Sequence, residues 1–365
     1  MIIALFVSFI AFLCAIFASL GKMRNGLKVA FVILILFSAL RYNYGTDYMG
    51  YMLEFREMNK YSVEYILSYQ GFKDKGWFII QHYLHPLGWF FFVALISIYS
   101  NWIYYKFIKR YVPRNYYWLS LYIYVFTFDM FLLQQSMIRQ ALAIAMVLHS
   151  CMLLDRVNVK KTKEIILLFL LMGLSISIHK SAAFVLPFLL IKFLPLKYGK
   201  FMAIGMIFIF CSLFFVKGLL ESYLVEILAL EEFASFGSDY GNEEGTKIGV
   251  RALIECIPLL VCGYYLSLEK TKDGPRFIVA LSMVAPMVLP LTVIIHLISR
   301  VSFYFSIFYL VSIPIAYKEI TNKVIRNGLI FILMGVSLFV YFDRHQAISY
   351  KKYFKEYHTI LMVNK

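Results

Sequence analysis

An all-α, polytopic integral membrane protein with about twelve transmembrane helices is what this sequence predicts. Three observations carry that expectation. Hydrophobic residues make up 61% of the 365-residue chain and charged residues only 16%, against roughly 25% charged in a soluble domain. Apolar runs near the length of about 20 residues that a bilayer demands recur from end to end. Between them lysine and arginine gather in short loops, the positive-inside pattern. The net charge of +15 therefore belongs to the loops and is no sign of nucleic-acid binding.

The elements follow in order. Ile2–Leu20 has no basic n-region and no small-residue cleavage site, so it reads as a retained helix. Leu27–Leu40 is the second helix and stops at Arg41. Residues 42–76 form an outer segment that carries a Gly-Thr-Asp-Tyr motif at 45–48. Its stretch "YMLEFREMNKYSVEYILSY" mixes apolar, aromatic and charged residues, as an amphipathic helix at the interface does. Trp77–Phe107 is long and contains Pro86 and Gly88, which fits a short half-helix before a full span. Tyr116–Leu133 and Ile138–Leu154 are spans. Ile165–Ile178 and Ala182–Leu194 are each short, and read as two spans or as one re-entrant hairpin. Phe201–Val216 is helix 8, followed by a long acidic outer loop over 217–249. Val250–Leu268, Phe277–Ile298, Val301–Tyr317 and Gly328–Phe342 complete the set. No repeat, low-complexity tract or soluble linker interrupts it, so residues 1–365 read as a single polytopic membrane domain.

If these helices alternate, the basic loops fall on one side. They include Lys22, Arg24 and Lys28; Lys109, Arg110 and Arg114; and Lys270, Lys272 and Arg276. That side is cytoplasmic by the charge rule, and both termini then lie outside. Arg41, Arg139, Arg251 and Arg300 break the rule, because they sit at the outer ends of apolar runs. Arginine keeps its charge and offers five donors in a fixed fork, which suits a phosphate or diphosphate. Snorkelling to headgroups is the plainer account, as is ion pairing of Arg251 with Glu255. Four on one face favour an anion site. His179 lies at the same face and suits a general base, a phosphate donor or a helix-end residue. His296 stands one turn before Arg300. Asp47 suits a base or a cap for the helix that follows. Asp129 is costly in a span unless paired, with Arg139 the candidate partner.

No metal site is expected. His82 and His85 stand at i, i+3 without a third ligand nearby, and no Asp-x-Asp motif appears near the outer face. Cys14, Cys151, Cys211, Cys256 and Cys262 lie in or beside apolar runs and read as small buried residues.

The stretches "RYNYGTDYMGYMLEF", "SMIRQALAIAM", "ISIHKSAAFVLPFLL" and "SRVSFYFSIFYL" occur in that order. In them the chain resembles the EpsG-like family of Wzy-type polysaccharide polymerases, which make O-antigen or exopolysaccharide. On this resemblance Arg41 and Asp47 match the first motif, Arg139 and Gln140 the second, His179 and Ser181 the third, and Arg300 the last. Arg251 matches none, and its candidacy rests on position. The resemblance implies a bacterial inner (cytoplasmic) membrane protein with its active site facing the periplasm or outside. It implies polymerisation of oligosaccharide repeat units carried on undecaprenyl diphosphate, by glycosyl transfer with the lipid diphosphate as leaving group. The expected partners are lipid-linked glycan donor and acceptor, membrane lipids and a chain-length regulator; no cofactor is expected. Arg139 and Arg300 are then assigned to the diphosphate, Arg41 and Arg251 as helpers, and Asp47 or His179 as the base. A flippase or exporter of lipid-linked glycan, or an O-antigen ligase, are the competing readings.

Overall fold

The computed structural model describes residues 2–127, 130–155, 162–194, 199–215, 251–268, 274–292, 299–346, 353–354 and 356–363. They are almost wholly helical. The chain divides into two compact units, Met1–Leu186 with Leu338–Lys365, and Pro187–Ser337.

The first unit begins with α1 (Ile2–Ser19) and α2 (Gly26–Ala39), followed by the two-residue strand β1 (Arg41–Tyr42). Ala4, Ala11, Ala15 and Ala18 are all buried on α1. Small side chains at such spacing let helices approach closely, and α1 packs on α2 and on a later helix, α7 (Tyr117–Phe126). The outer segment folds as α3 (Tyr48–Glu57) and α4 (Val63–Ser68), with a 3-10 turn at Met58–Lys60 between them. A continuous amphipathic helix is therefore replaced by two short ones. Ser62 starts the second, its hydroxyl accepting from the Tyr65 amide at 3.2 Å. The long Trp77 run resolves into α5 (Lys75–Leu84) and α6 (Trp89–Tyr111). Pro86 lies in the 3-10 turn His85–Leu87 between them, and Gly88 takes φ 83° at the start of α6. This is the half-helix and full span that the proline and glycine suggested. Then come α8 (Met130–Ser136), α9 (Ile138–Leu154) and α10 (Thr162–Ile178). α6 packs on α2 and α9, α9 on α10, and α10 on α5.

Lys180–Val185 is 3-10 helix, followed by the single turn α11 (Leu186–Leu189) and another 3-10 turn. The span expected over Ala182–Leu194 is thus irregular, since Pro187 has no amide to continue a regular helix. The second unit holds α12 (Gly199–Phe215), α13 (Arg251–Ser267), α14 (Arg276–Ser282), α15 (Val284–Thr292), α16 (Ser299–Ser306) and α17 (Tyr309–Glu319). α13 packs against α12, α14, α15 and α17. The chain bends by 48° between α16 and α17. α18 (Lys323–Gln346) runs from the second unit into the first, and the chain closes with β2 (His358–Thr359) and the turn α19 (Ile360–Val363).

Among the described residues two helices, Trp89–Tyr111 and Lys323–Tyr341, are long and apolar enough to cross a membrane, or four spans if each bent pair counts as one. Six further apolar helices are shorter, so the expected twelve full spans are not reached among these residues. The exterior is nonetheless apolar: Phe169, Phe201, Phe208 and Phe331 are each at least 69% exposed. A surface of that kind suits hydrocarbon and not water. The acidic loop over 217–249 lies outside the described residues.

Candidate functional site

The first motif folds into a tight, pinned turn. Arg41 follows the end of α2 and is only 1% exposed. Its guanidinium donates to the Ser38 carbonyl, to the Gln134 carbonyl at 3.1 Å and to the Ser97 hydroxyl at 3.4 Å. One face lies against the Tyr48 ring, 5.6 Å from its centre, while the Tyr48 hydroxyl donates to the Arg41 carbonyl at 3.0 Å. Burial pulls the Arg41 pKa down to about 10, so the side chain remains a cation at neutral pH. Arg41 was expected to face an outer anion. The structure instead turns its fork inward to tie α2, α6 and α8 together, because those helix segments present acceptors that only a long cation reaches.

The chain then reverses through Asn43 (φ 48°) and Gly45 (φ 119°). A Cβ on Gly45 would lie 2.6 Å from the Gln135 carbonyl carbon, so only glycine fits there. The Gly45 amide donates to the Tyr353 carbonyl at 3.3 Å. β1 pairs antiparallel with β2, Arg41 opposite Thr359 and Tyr42 opposite His358. Tyr357 stacks on Phe37 at 4.3 Å and donates to the Phe37 carbonyl at 2.6 Å. Its phenol is pushed up to about 12 by burial, although Arg41 acts in the opposite sense. The last residues of the chain thus brace the first motif.

Asp47 follows on this turn. It is exposed and occupies the N-cap position of α3, but its side chain makes no capping bond. The capping role considered for Asp47 is not the one its side chain takes. The carboxylate stands free of the helix it precedes.

The second and third motifs meet at an aspartate between them in space. Asp74 is 9% exposed. Its Oδ2 lies 3.2 Å from Arg139 Nη1, near the start of α9, and its Oδ1 accepts from the Lys180 amide at 3.2 Å. Lys180 follows His179, which is itself 7% exposed at the end of α10. One carboxylate therefore links the Arg-Gln and His-Lys-Ser motifs, and it brings the N-termini of α5 and α9 together. Both ends carry a partial positive charge that favours an anion. Gly76 lets α5 approach the end of α10, since a Cβ there would lie 2.8 Å from the Ser177 backbone carbon. Behind it, Glu54 on α3 accepts from Trp77 Nε1 at 2.7 Å and Gln81 Nε2 at 2.6 Å, which fixes α5. Gln140 is buried beside Arg139 in sequence, at 2% exposure. Arg139 keeps 25% of its side chain exposed, and its Nε is without a hydrogen-bond partner.

Arg41, Asp47, Arg139, Gln140 and His179 all belong to the first unit. Arg251 and Arg300 belong to the second. Arg300 is half-buried in the first turn of α16. Arg251 starts α13, and its side chain lies outside the described residues, as do Asp129 and His296. The sequence offers Asp129 as a partner for Arg139; the ion pair in the structure is with Asp74. Neither Asp74 nor Glu54 was singled out from sequence. The one local signal was an acidic residue just before an apolar helix, which usually marks a helix start. Among the described residues no group of three or more His, Cys, Asp and Glu is placed to hold a metal ion.

A family model described as EpsG family matches residues 27–358, a range that takes in all four motifs. No curated protein and no solved structure matches the chain.

Proposed function

The chain belongs to the EpsG family, and from that membership we propose that it polymerises lipid-diphosphate-linked oligosaccharide repeat units into a polysaccharide. The observation that carries the reading is the family match over residues 27–358, with Arg41, Asp47, Arg139, His179 and Arg300 all inside it. The convergence of Arg139 with two helix N-termini supports it, because a leaving diphosphate needs cationic and dipolar donors.

In this reading the growing glycan on undecaprenyl diphosphate is the donor, and a fresh repeat unit on a second carrier is the acceptor. An acceptor hydroxyl attacks the anomeric carbon of the donor sugar. The new C–O bond forms as the bond to the diphosphate oxygen breaks, through an oxocarbenium-like state. The diphosphate leaves with the electron pair; Arg139 and Arg300 are assigned to its developing charge, with Arg251 as a helper. Asp74 holds one edge of Arg139 and leaves the rest of the fork for the phosphate. Asp47, exposed and uncommitted to a cap, takes the hydroxyl proton. His179, buried at the end of α10, orients the site, and Arg41 acts by holding the turn that carries Asp47. The site faces away from the cytoplasm, and no metal takes part.

A deletion strain tests the class of reaction. A polymerase mutant leaves single repeat units attached to the final acceptor. Repeat units retained facing the cytoplasm would point to a flippase, and polymer accumulating on the carrier would point to a ligase. EDTA is expected to leave activity intact; loss that added divalent metal restores would contradict the metal-free step.

A further inference from the structure

The first unit carries a second charged feature, at the end away from Arg139. α9 runs about 20 Å from Arg139 to Met152 at 1.5 Å per residue. Around that far end lies a cavity of about 670 Å³, lined by Lys28 at the start of α2, by Lys106, Lys109 and Arg110 at the end of α6, and by His149 and Met152 on α9. Among the described residues no carboxylate lines it. Arg110 is satisfied, pairing with Asp155 at 3.5 Å and donating to the Met152 carbonyl at 2.9 Å. The three lysines are exposed and make no ion pair among the described residues. Lys106 rests on the Trp102 ring at 4.8 Å and Lys109 on the Tyr105 ring at 5.5 Å. These contacts hold the ammonium groups in place and leave their charge uncancelled.

The surroundings of the cavity bear on what would fill it. Both helices that carry the lysines continue into lines of exposed apolar residues. On α2, Lys28 is followed at i+4 and i+8 by Val32 (44% exposed) and Leu36 (53%). On α6, Trp102 (42%), Ile98 (47%), Leu95 (38%) and Phe91 (46%) run back from Lys106 at helical spacing. Three uncancelled cations at the head of two apolar tracks match a molecule with an anionic head and hydrocarbon tails. We propose that this cavity is a binding site for an anionic phospholipid, whose phosphate sits among Lys28, Lys106 and Lys109 and whose acyl chains lie along α2 and α6. A soluble phosphate shares the head chemistry and would leave the tracks unused.

Native mass spectrometry of the purified full chain tests this, with phosphatidylglycerol and phosphatidylcholine supplied in equal amounts. The expected result is at least a tenfold preference for phosphatidylglycerol adducts. That preference disappears in Lys28→Gln/Lys106→Gln/Lys109→Gln and persists in Lys28→Arg/Lys106→Arg/Lys109→Arg. It also persists in Lys22→Gln/Arg24→Gln, which removes charge from the same end outside the cavity. No preference in the unaltered protein, or equal loss in the Lys22/Arg24 variant, would overturn the site. Inorganic pyrophosphate is the soluble arm. Binding of pyrophosphate at the three lysines without phosphatidylglycerol would reassign the cavity to a soluble anion and sink the lipid proposal.

Discussion

Arg41 and Arg139 show how differently two arginines at the ends of apolar runs are used. Arg41 spends its fork on internal acceptors, the Ser38 and Gln134 carbonyls and the Ser97 hydroxyl. Arg41→Met would strand those acceptors, and each buried polar group left unpaired costs about 1–3 kcal/mol. A loss of about 3 kcal/mol in stability is expected, read by thermal unfolding in detergent. An Arg41→Met protein of unchanged stability would show that its internal bonds carry no weight. Arg139 keeps donors to spare, and Asp74 aims it. Asp74→Asn keeps the shape and removes the charge. Polymerisation by this variant is expected to fall about tenfold or more, with folded yield near normal. Unchanged chain length would mean that Asp74 does not position Arg139. Asp74 was not legible beforehand, because residues 74, 139 and 180 meet only in the folded chain. The arginine and histidine motifs were legible, because each breaks an apolar run.

Among the elements, the regular helices were the legible part. α9 spans Ile138–Leu154 as the apolar run does, and α10 agrees within three residues, whereas the runs expected as single spans over Tyr116–Leu133 and Val301–Tyr317 are each broken into two helices. Such runs carry their own boundary in the polar residues on either side. The division of α5 from α6 was also readable, since Pro86 breaks a helix and Gly88 weakens one. The bend between α16 and α17 was not, for neither proline nor glycine falls in Ser306–Tyr309. The brace formed by the chain's final residues was also hidden, because two-residue strands leave no periodic trace. That brace yields a prediction at this scale. Tyr357→Ala removes the stack on Phe37 and the bond to its carbonyl. It is expected to cost about 2 kcal/mol and to loosen the Gly45 turn, read as faster amide exchange at Gly45 and Thr46. Unaltered exchange there would show that the turn stands without the brace.

At the scale of the whole molecule, the first unit gathers the basic turns of several helices in one place. The basic turns meet at one end, where Arg114 Nε donates to the Ala18 carbonyl at 2.8 Å and Arg110 to Met152. Arg41 and Arg139 lie at the opposite ends of α2 and α9. The basic loops themselves were readable from charge alone. The number of full spans was not, because several helices bend or stop short of a bilayer's thickness. The central claim is that arginines outside the basic loops bind a lipid diphosphate during glycan polymerisation. The direct measurement is polymer length made by purified, folded protein from lipid-linked repeat units. Arg139→Ala and Arg300→Ala are each expected to reduce the product to single repeat units, while the lysine-to-glutamine variants of the basic end still extend them. Long chains from either arginine variant would contradict the account.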